Sequence, residues 1–371
     1  METILGHAQR ILYTLLDLMP SPHQRLSFQA IFALFFEPTD GHMLPEHSVI
    51  KSPAALSRFL NNYGWPTRAV IRASRRHVLE QVMKYAPPGR RPHLQVIIDL
   101  TTLEKRGKFK AFENLIHVLN GKKGLHLVIM YIVVGQLRMP WAIHPWRGKG
   151  TDSPAKLGLK LLRTLPKKLL SRFQIQVLAD TGFSSVDFLQ GIRKLRHHAI
   201  VGIPKNRKLE DGRKIRTIGE KGQQVKLSGF KDTVSASWFY LERNGKLEKR
   251  FVISTRKLKG NTITWWGRRR WAIEGFFKTS KYRFGLAVFG QQTLLGVYRW
   301  LVISLISFIL VHWVYLSLNT GNQPDWRKSS AQAIEKLMPE IVVRQLLIEI
   351  EAKRALLASQ GLRLELVQIK I

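Results

Sequence analysis

Three carboxylates in this chain stand apart from other acids, each at a position that calls for an explanation. Asp99 is the only acidic residue between Glu80 and Glu104 and follows the apolar run "HLQVII". Asp180 closes a second such run, "FQIQVLAD", and its nearest acidic predecessor is Asp152. Glu274 lies in the cationic stretch "RRRWAIEGFFKTSK", with no other carboxylate between Glu248 and Asp325. Two aspartates at the ends of adjacent buried strands can approach closely in one sheet. A glutamate on a helix packed against that sheet then completes a hard-oxygen donor set. Such a set suits Mg²⁺ or Mn²⁺, and a pair of these ions stabilises both the attacking and the leaving oxygen of phosphoryl transfer. Each residue also has a plainer reading. An aspartate after a strand commonly caps a turn, as Asp180 before "TGF" would, and Glu274 between Arg270 and Lys281 could form an ordinary surface ion pair.

The surrounding sequence supplies elements able to position these groups. Residues 1–88 read as a helical region. In "SPAALSRFLNNYGWPTRAVIRASRRHVLEQVMKY", Ser52 is an N-cap with Pro53 in the first turn, and Pro66 and Thr67 open a second helix. That second helix carries Arg68, Arg72, Arg75 and Arg76. The pair therefore has the layout of a DNA-reading helix-turn-helix, although most helix pairs do not bind DNA. Beyond "APPGRRP", residues 89–204 alternate as three strands, helix, strand, helix, strand, the signature of a mixed α/β sheet. Asp99 is expected at the end of the first strand, and "SPAKLGLKLLRTLPKKLL" is expected to form one amphipathic helix. Residues 205–264 are polar, rich in turns and alternating, as in an antiparallel β insertion. Helix resumes over 265–320, and 321–371 form a charge-mixed helical tail. The apolar segment 301–318 is long enough to span a membrane. A central helix buried on all sides gives the same pattern and is the favoured reading.

Composition narrows the partner. Sixty Lys+Arg against 25 Asp+Glu leave a formal charge of +35. Self-repulsion of that size usually answers a polyanion, with nucleic acid first and an anionic membrane surface second. The chain has no cysteine, which excludes disulfides, thiolate zinc sites and a catalytic thiol. The N-terminus lacks a basic segment followed by an apolar core, so no secretory signal is expected.

Together these residues resemble a DDE transposase of the insertion-sequence-four type, whose catalytic domain is ribonuclease-H-like. That family carries a Tyr-two-Arg-three-Glu-six-Lys signature around its catalytic glutamate. Arg270, Glu274 and Lys281 keep the spacing. The tyrosine position falls on Gly267, with Trp265 and Trp266 just before it as aromatics that could substitute. "VIIDLTTLEKRGKF" resembles the family's first-aspartate block and "LADTGF" the second. The resemblance covers roughly 90–320, including a β-rich insertion where this family places one.

The resemblance implies an α/β fold: a ribonuclease-H-like mixed sheet flanked by helices, with a β-rich insertion and helical N- and C-terminal regions. It implies metal-dependent cleavage and strand transfer at insertion-sequence ends, by cut-and-paste transposition. Asp99, Asp180 and Glu274 would be the catalytic residues and would ligate two Mg²⁺ or Mn²⁺ ions. Arg270 and Lys281 would hold phosphates, and Lys105 and Arg106 would line the DNA path. Trp271 would contact DNA by stacking on a base or, more plainly, pack beneath the site, and Trp238 is a weaker stacking candidate. The expected partners are double-stranded DNA, as inverted-repeat ends and target, and a second copy of the chain as a homodimer in a synaptic complex. No membrane is expected, and the location would be the prokaryotic cytoplasm, at the nucleoid. A related ribonuclease-H-like nuclease or integrase, and a DNA-binding relic without activity, remain as alternatives.

Overall fold

Serine and threonine side chains set the starts of the N-terminal helices. In the computed structural model, which describes residues 3–37, 45–105, 112–243, 245–318 and 325–363, Thr3 caps α1 (Ile4–Asp17), Ser21 caps α2 (Pro22–Phe36) and Ser52 caps α3 (Pro53–Asn61). Each cap oxygen accepts from the backbone N–H three residues on, satisfying a donor that the helix itself leaves open. Pro22 and Pro53 stand in the first turn, where a missing N–H costs nothing. After a turn over 62–66 comes α4 (Thr67–Met83). The chain divides into two compact units, residues 74–282 and residues 1–73 with 283–371.

Among the described residues, the unit 74–282 is built on a nine-stranded sheet. Its strands are β1 (His93–Glu104), β2 (Ile116–Leu119), β3 (Lys122–Val134), β4 (Leu137–Pro145), β5 (Gln174–Ala179), β6 (His198–Ile203), β7 (Gln223–Lys226), β8 (Thr233–Arg243) and β9 (Lys246–Ser254). They lie in the order β2-β3-β1-β5-β6-β9-β8-β7, with β4 also on β3. β1, β5 and β6 are mutually parallel, and the remaining pairs are antiparallel. This is the mixed α/β sheet flanked by helices that the sequence predicts, with helical regions before and after it.

Parallel strands need crossovers that cover a face of the sheet. α5 (Pro154–Leu162) and α6 (Lys167–Arg172) lead into β5, and α7 (Val186–Lys194) leads into β6. On α5, Gly158 lets the helix approach, since a Cβ there would lie 3.0 Å from the Ile98 side chain. α8 (Gly260–Arg269) and α9 (Ala272–Tyr282) follow the last strand, and Phe276 of α9 stacks on Tyr131 of β3 at 4.7 Å. Successive strand residues point to opposite faces. Ile98 therefore meets α5, and Asp99 meets the side occupied by α8 and α9.

Three local expectations differ from the structure. The single helix expected over 153–170 is two, because Pro166 lacks a donor and clashes with the preceding turn. β1 continues past Asp99 to Glu104, since β3 keeps pairing with it as far as Glu104↔Gly124 after β5 has ended. α8 begins at Gly260, within a segment whose alternation reads as strand. Ile263 and Trp266 are buried on its inner face, and packing overrides β propensity there.

The unit of 1–73 and 283–371 is helical. α10 (Leu294–Ser317) is followed by α11 (Trp326–Leu337), α12 (Pro339–Ala352) and α13 (Arg354–Ser359). α10 is long and apolar enough to cross a membrane, yet 83% of its apolar window is buried, packed by α1, α2, α3 and α11. Its one cation, Arg299, is 2% exposed. The guanidinium donates to the carbonyls of Phe59, Leu60 and Trp65 and to Thr67 Oγ1, and lies 4.2 Å over the Trp65 ring. A cation at the C-terminal end of α3 meets the negative end of that helix's dipole and satisfies carbonyls left without helical partners. Burial still lowers its pKa to about 10, so it stays charged at neutral pH.

Arg299→Met leaves those carbonyls without donors. It should cost about 3 kcal/mol of stability in urea unfolding. Arg299→Lys should recover only part of that loss, because an ammonium cannot span the acceptors a guanidinium reaches.

Candidate active site

The register of two strands brings the aspartates together. β1 and β5 run parallel up to the pair Ile98↔Ala179, so Asp99 and Asp180 are the next residues on neighbouring strands. β1 continues beyond that point and β5 ends. Adjacent strands lie about 4.8 Å apart, close enough for each carboxylate to feel the other's charge. Asp180 also takes the plainer role: its Oδ1 accepts from Gly182 N–H at 2.9 Å and caps the short 3₁₀ turn Thr181–Phe183. Asp99 Oδ1 accepts from Leu100 N–H at 2.8 Å.

Arg270 joins the strand to the helix. Its Nη1 donates to Asp99 Oδ2 at 2.7 Å and its Nη2 to Glu274 Oε1 at 3.1 Å. On one unbroken helix, the spacing of Arg270, Glu274 and Lys281 would put all three on the same face. The helix is in fact interrupted, with α8 ending at Arg269 and α9 starting at Ala272. The junction is spanned by bonds three residues apart, Trp271 N–H to Arg268 and Glu274 N–H to Trp271, a tighter winding than the α-helix. The four-residue spacing still lets Arg270 and Glu274 meet.

Charge at this cluster is unevenly compensated. Asp99 is 7% exposed, and its pKa is pushed up to about 7, first by burial and next by the negative charge of Asp180. Glu274 adds to that push, while Arg270 and the Leu100 N–H oppose it. Asp180 is likewise raised, by burial first and then by Glu274, against Arg270 and the Gly182 N–H. One guanidinium thus serves three carboxylates and does not fully offset their desolvation and mutual repulsion. The oxygens of Asp99, Asp180 and Glu274 do not all lie within 4.8 Å of one another, so a divalent cation would have to draw these hard donors together, and in doing so would relieve their repulsion.

A cavity of about 550 Å³ opens beside the cluster, lined by Asp180, Thr181, Gly202, Gly267, Arg270, Trp271 and Glu274 among others. Asp99 lies behind Arg270, whose side chain reaches back to it from the cavity wall. Trp271 is 39% exposed on this wall, with the Arg270 guanidinium 5.9 Å from its ring centre. Its exposure removes the core-packing alternative. Gly267, at the position where the family signature has tyrosine, also lines the cavity, and a Cβ there would sit 3.3 Å from Val252. Trp266 is buried edge-to-face against His93, and Trp265 lies outside this cavity. The aromatics on its wall besides Trp271 are Phe239 of β8 and Phe251 of β9.

Glu242 and Arg250 also line the cavity, from β8 and β9. Nothing in their spacing relates them to Asp180 or Glu274; the antiparallel pairing of β9 on β6 brings them there. Trp238 is half-buried in β8 beneath Lys249, whose Nζ is 4.2 Å from its ring centre, and does not line the cavity. Lys281 donates from Nζ to the Thr102 carbonyl at 2.8 Å, three residues along β1 from Asp99, or about 10 Å at strand rise. Burial and nearby Lys122 lower its pKa, while Glu104 raises it. Lys105 is half-buried just past β1, and burial lowers its pKa to about 8. Arg106, with Lys108 and Lys110, lies outside the described residues.

Residues 90–310 match the family described as the transposase DDE domain. No curated protein matches the sequence. Among solved structures, the chain is similar to the piggyBac transposase synaptic complex with hairpin DNA, determined by cryo-EM. The TM-score is 0.51 at 12% identity, covering 99% of this chain and 84% of that one.

The raised Asp99 sets a pH dependence. Its carboxyl titrates ordinarily near 3.8 and in the fold near 7. Between those values the fold keeps a proton that the unfolded chain releases. The stabilising contribution is complete at low pH and lost as pH rises through about 7. In metal-free buffer, Asp99→Asn should melt a few degrees above wild type near pH 8 and level with it near pH 4, by calorimetry. Mg²⁺ added near pH 8 should raise the wild-type melting temperature and leave the variant's unchanged.

Proposed function

The chain belongs to the transposase DDE-domain family, and from that premise we propose that it is a DNA transposase of the insertion-sequence-four type. In this reading it cuts DNA at the ends of its element and joins the freed ends to a target, by cut-and-paste transposition. The observation that carries the reading is Arg270 holding both Asp99 and Glu274, with Asp180 next in register on the adjoining strand, beside a cavity. A formal charge of +35 on the whole chain supports a polyanionic substrate. The synaptic complex with hairpin DNA formed by the structural neighbour supports DNA as the partner here. A homodimer on paired inverted-repeat ends, in the cytoplasm and without a membrane, completes the proposal.

The chemistry assigns each residue a task. Asp99, Asp180 and Glu274 would hold divalent cations, two Mg²⁺ or Mn²⁺ ions in this reading. When bound, these supply electrostatic stabilisation for charge building on the phosphodiester oxygens. In cleavage, a water oxygen bonds to phosphorus and the 3′ oxygen departs, leaving as a hydroxyl with a proton from the water. In joining, that 3′ hydroxyl bonds to a target phosphorus and the target's own 3′ oxygen leaves, so nothing is oxidised or reduced. Arg270, whose two terminal nitrogens hold Asp99 and Glu274, adds positive charge on the cavity wall toward an entering phosphate. Trp271 offers an exposed face on the same wall to a base. Lys281 and Lys105 add positive charge along β1 and past its end, where a DNA backbone could run. Arg106 belongs to the same basic loop in sequence.

Asp180→Ala and Glu274→Gln should each abolish Mg²⁺-dependent cleavage of an inverted-repeat duplex, with duplex binding kept within about twofold. Cleavage by both variants at wild-type rates would remove the assignment. A strand-joining assay on the same substrate separates a transposase from a nuclease that only cuts. Lys281→Ala should weaken end binding and reduce the slope of log affinity against log salt by about one.

A further inference from the structure

A second recess lies next to the carboxylate cavity and plays no part in the reaction as described above. It has a volume of about 650 Å³ and lies between α8 and β8. From α8 it is lined by Asn261, Thr264, Trp265, Arg268 and Arg269, from β8 by Phe239 and Tyr240, and at one end by Lys221. Three of these eight residues are cations, three are aromatic and none is acidic. We propose that this groove binds an unpaired strand of DNA, with bases stacked on Trp265 and Tyr240 and phosphates held by Arg268 and Lys221.

The exposure of the aromatics argues for this occupant. Trp265 is 51% and Tyr240 56% exposed, on a chain whose core buries most of its large side chains. Trp265 is also held in place, since the Arg269 guanidinium lies 4.5 Å from its ring centre and Trp266 packs edge-on at 4.8 Å. Arg269 is fixed in turn by donating from Nε to Gln95 Oε1 at 3.1 Å. A rigid, half-exposed indole loses little entropy on binding a flat ligand. Duplex DNA hides its base faces and presents phosphates, which exposed aromatics do not improve. An unpaired strand presents both, so aromatic platforms flanked by cations match it specifically.

The edge of β8 adds a further reason. β7 pairs with β8 only over Thr233–Ala236, so beyond Ser237 the outer edge of β8 has no strand neighbour among the described residues. The groove follows this open edge, and Arg268 rests 5.7 Å from the Phe239 ring centre without an ion pair among the described residues. Phe239 lines both the groove and the carboxylate cavity, and on α8 Gly267 lines the cavity while Arg268 lines the groove. A strand leaving the carboxylate cavity past Gly267 would enter the groove directly. The assignment of DNA as the ligand rests on the transposase reading.

The test is fluorescence anisotropy with labelled oligothymidylate and with a duplex of equal length, in EDTA so that no cleavage occurs. Trp265→Ala and Tyr240→Ala should each weaken oligothymidylate binding about tenfold and leave duplex affinity within about twofold. Trp265→Phe should restore most of the loss, and Arg268→Gln should lower the salt slope for the single strand by about 0.7. Circular dichroism identifies any variant that fails to fold, and Tyr240→Ala keeps the test open if Trp265→Ala does. Equal losses on both DNAs, or no loss on either, would overturn the proposal. Wild-type cleavage of duplex without oligothymidylate binding removes the groove and leaves the transposase reading intact. Stacking-dependent oligothymidylate binding without cleavage in Mg²⁺ does the reverse.

Discussion

The reach of Arg270 from the α8–α9 junction to Asp99 is the contact on which the site depends. A carboxylate in the middle of an apolar strand, with a second one on the neighbouring strand, would carry a large desolvation cost if both stayed ionised and alone. The guanidinium relieves part of that cost and in doing so ties the helix junction to the sheet. It also fixes where Glu274 stands, because the same fork grips both acids. Arg serves here where Lys would not, since its planar donors can face two carboxylates at once. The incomplete compensation is itself informative. A site satisfied by protein alone would have little use for a divalent cation, whereas this one holds Asp99 near 7 and gains from added positive charge.

Around that contact the fold separates rigid support from binding surface. The parallel strands β1, β5 and β6 are buried on both faces and set the carboxylates in register. The antiparallel extension β7–β8–β9 continues the sheet away from them, and β8 with α8 contributes walls to both recesses. Phe239 stands where the two recesses meet. Cations gather on the walls, and Trp265, Tyr240 and Trp271 are exposed there, the reverse of the arrangement in the core. The helical unit solves a different problem, keeping an apolar α10 out of water while accommodating one buried cation among carbonyl acceptors.

Much of this is legible in the sequence. Strand–helix alternation after residue 89 predicts the mixed sheet, and the scarcity of acids on a +35 chain singles out Asp99, Asp180 and Glu274. Less legible were features that depend on partners distant in sequence. β1 continues past Asp99 because β3 pairs with it there, which no local pattern announces. The helix break at Arg270 carries no proline or glycine to mark it. α8 begins within a segment of strand-like alternation because the sheet offers Ile263 and Trp266 a surface to bury against. Glu242 and Arg250 reach the cavity through antiparallel pairing alone, and an exposed glutamate in a strand gives no hint of what it faces.

The sequence by itself determined which side chains could do chemistry here and how the nearest of them are spaced. The four-residue step from Arg270 to Glu274 brings them within reach on a helical path, and an aspartate next to a buried apolar run must be compensated somewhere. Tertiary structure decided what those groups face. The Ile98↔Ala179 register made Asp99 and Asp180 neighbours. The packing of the α8–α9 junction on the sheet put Arg270 between Asp99 and Glu274. It also left Gly267 on a cavity wall and sent Trp265 to a different recess, so one short stretch of helix serves two surfaces. Charge and spacing are properties of the chain, but the strength of electrostatic coupling depends on separation and burial, and only the fold sets those.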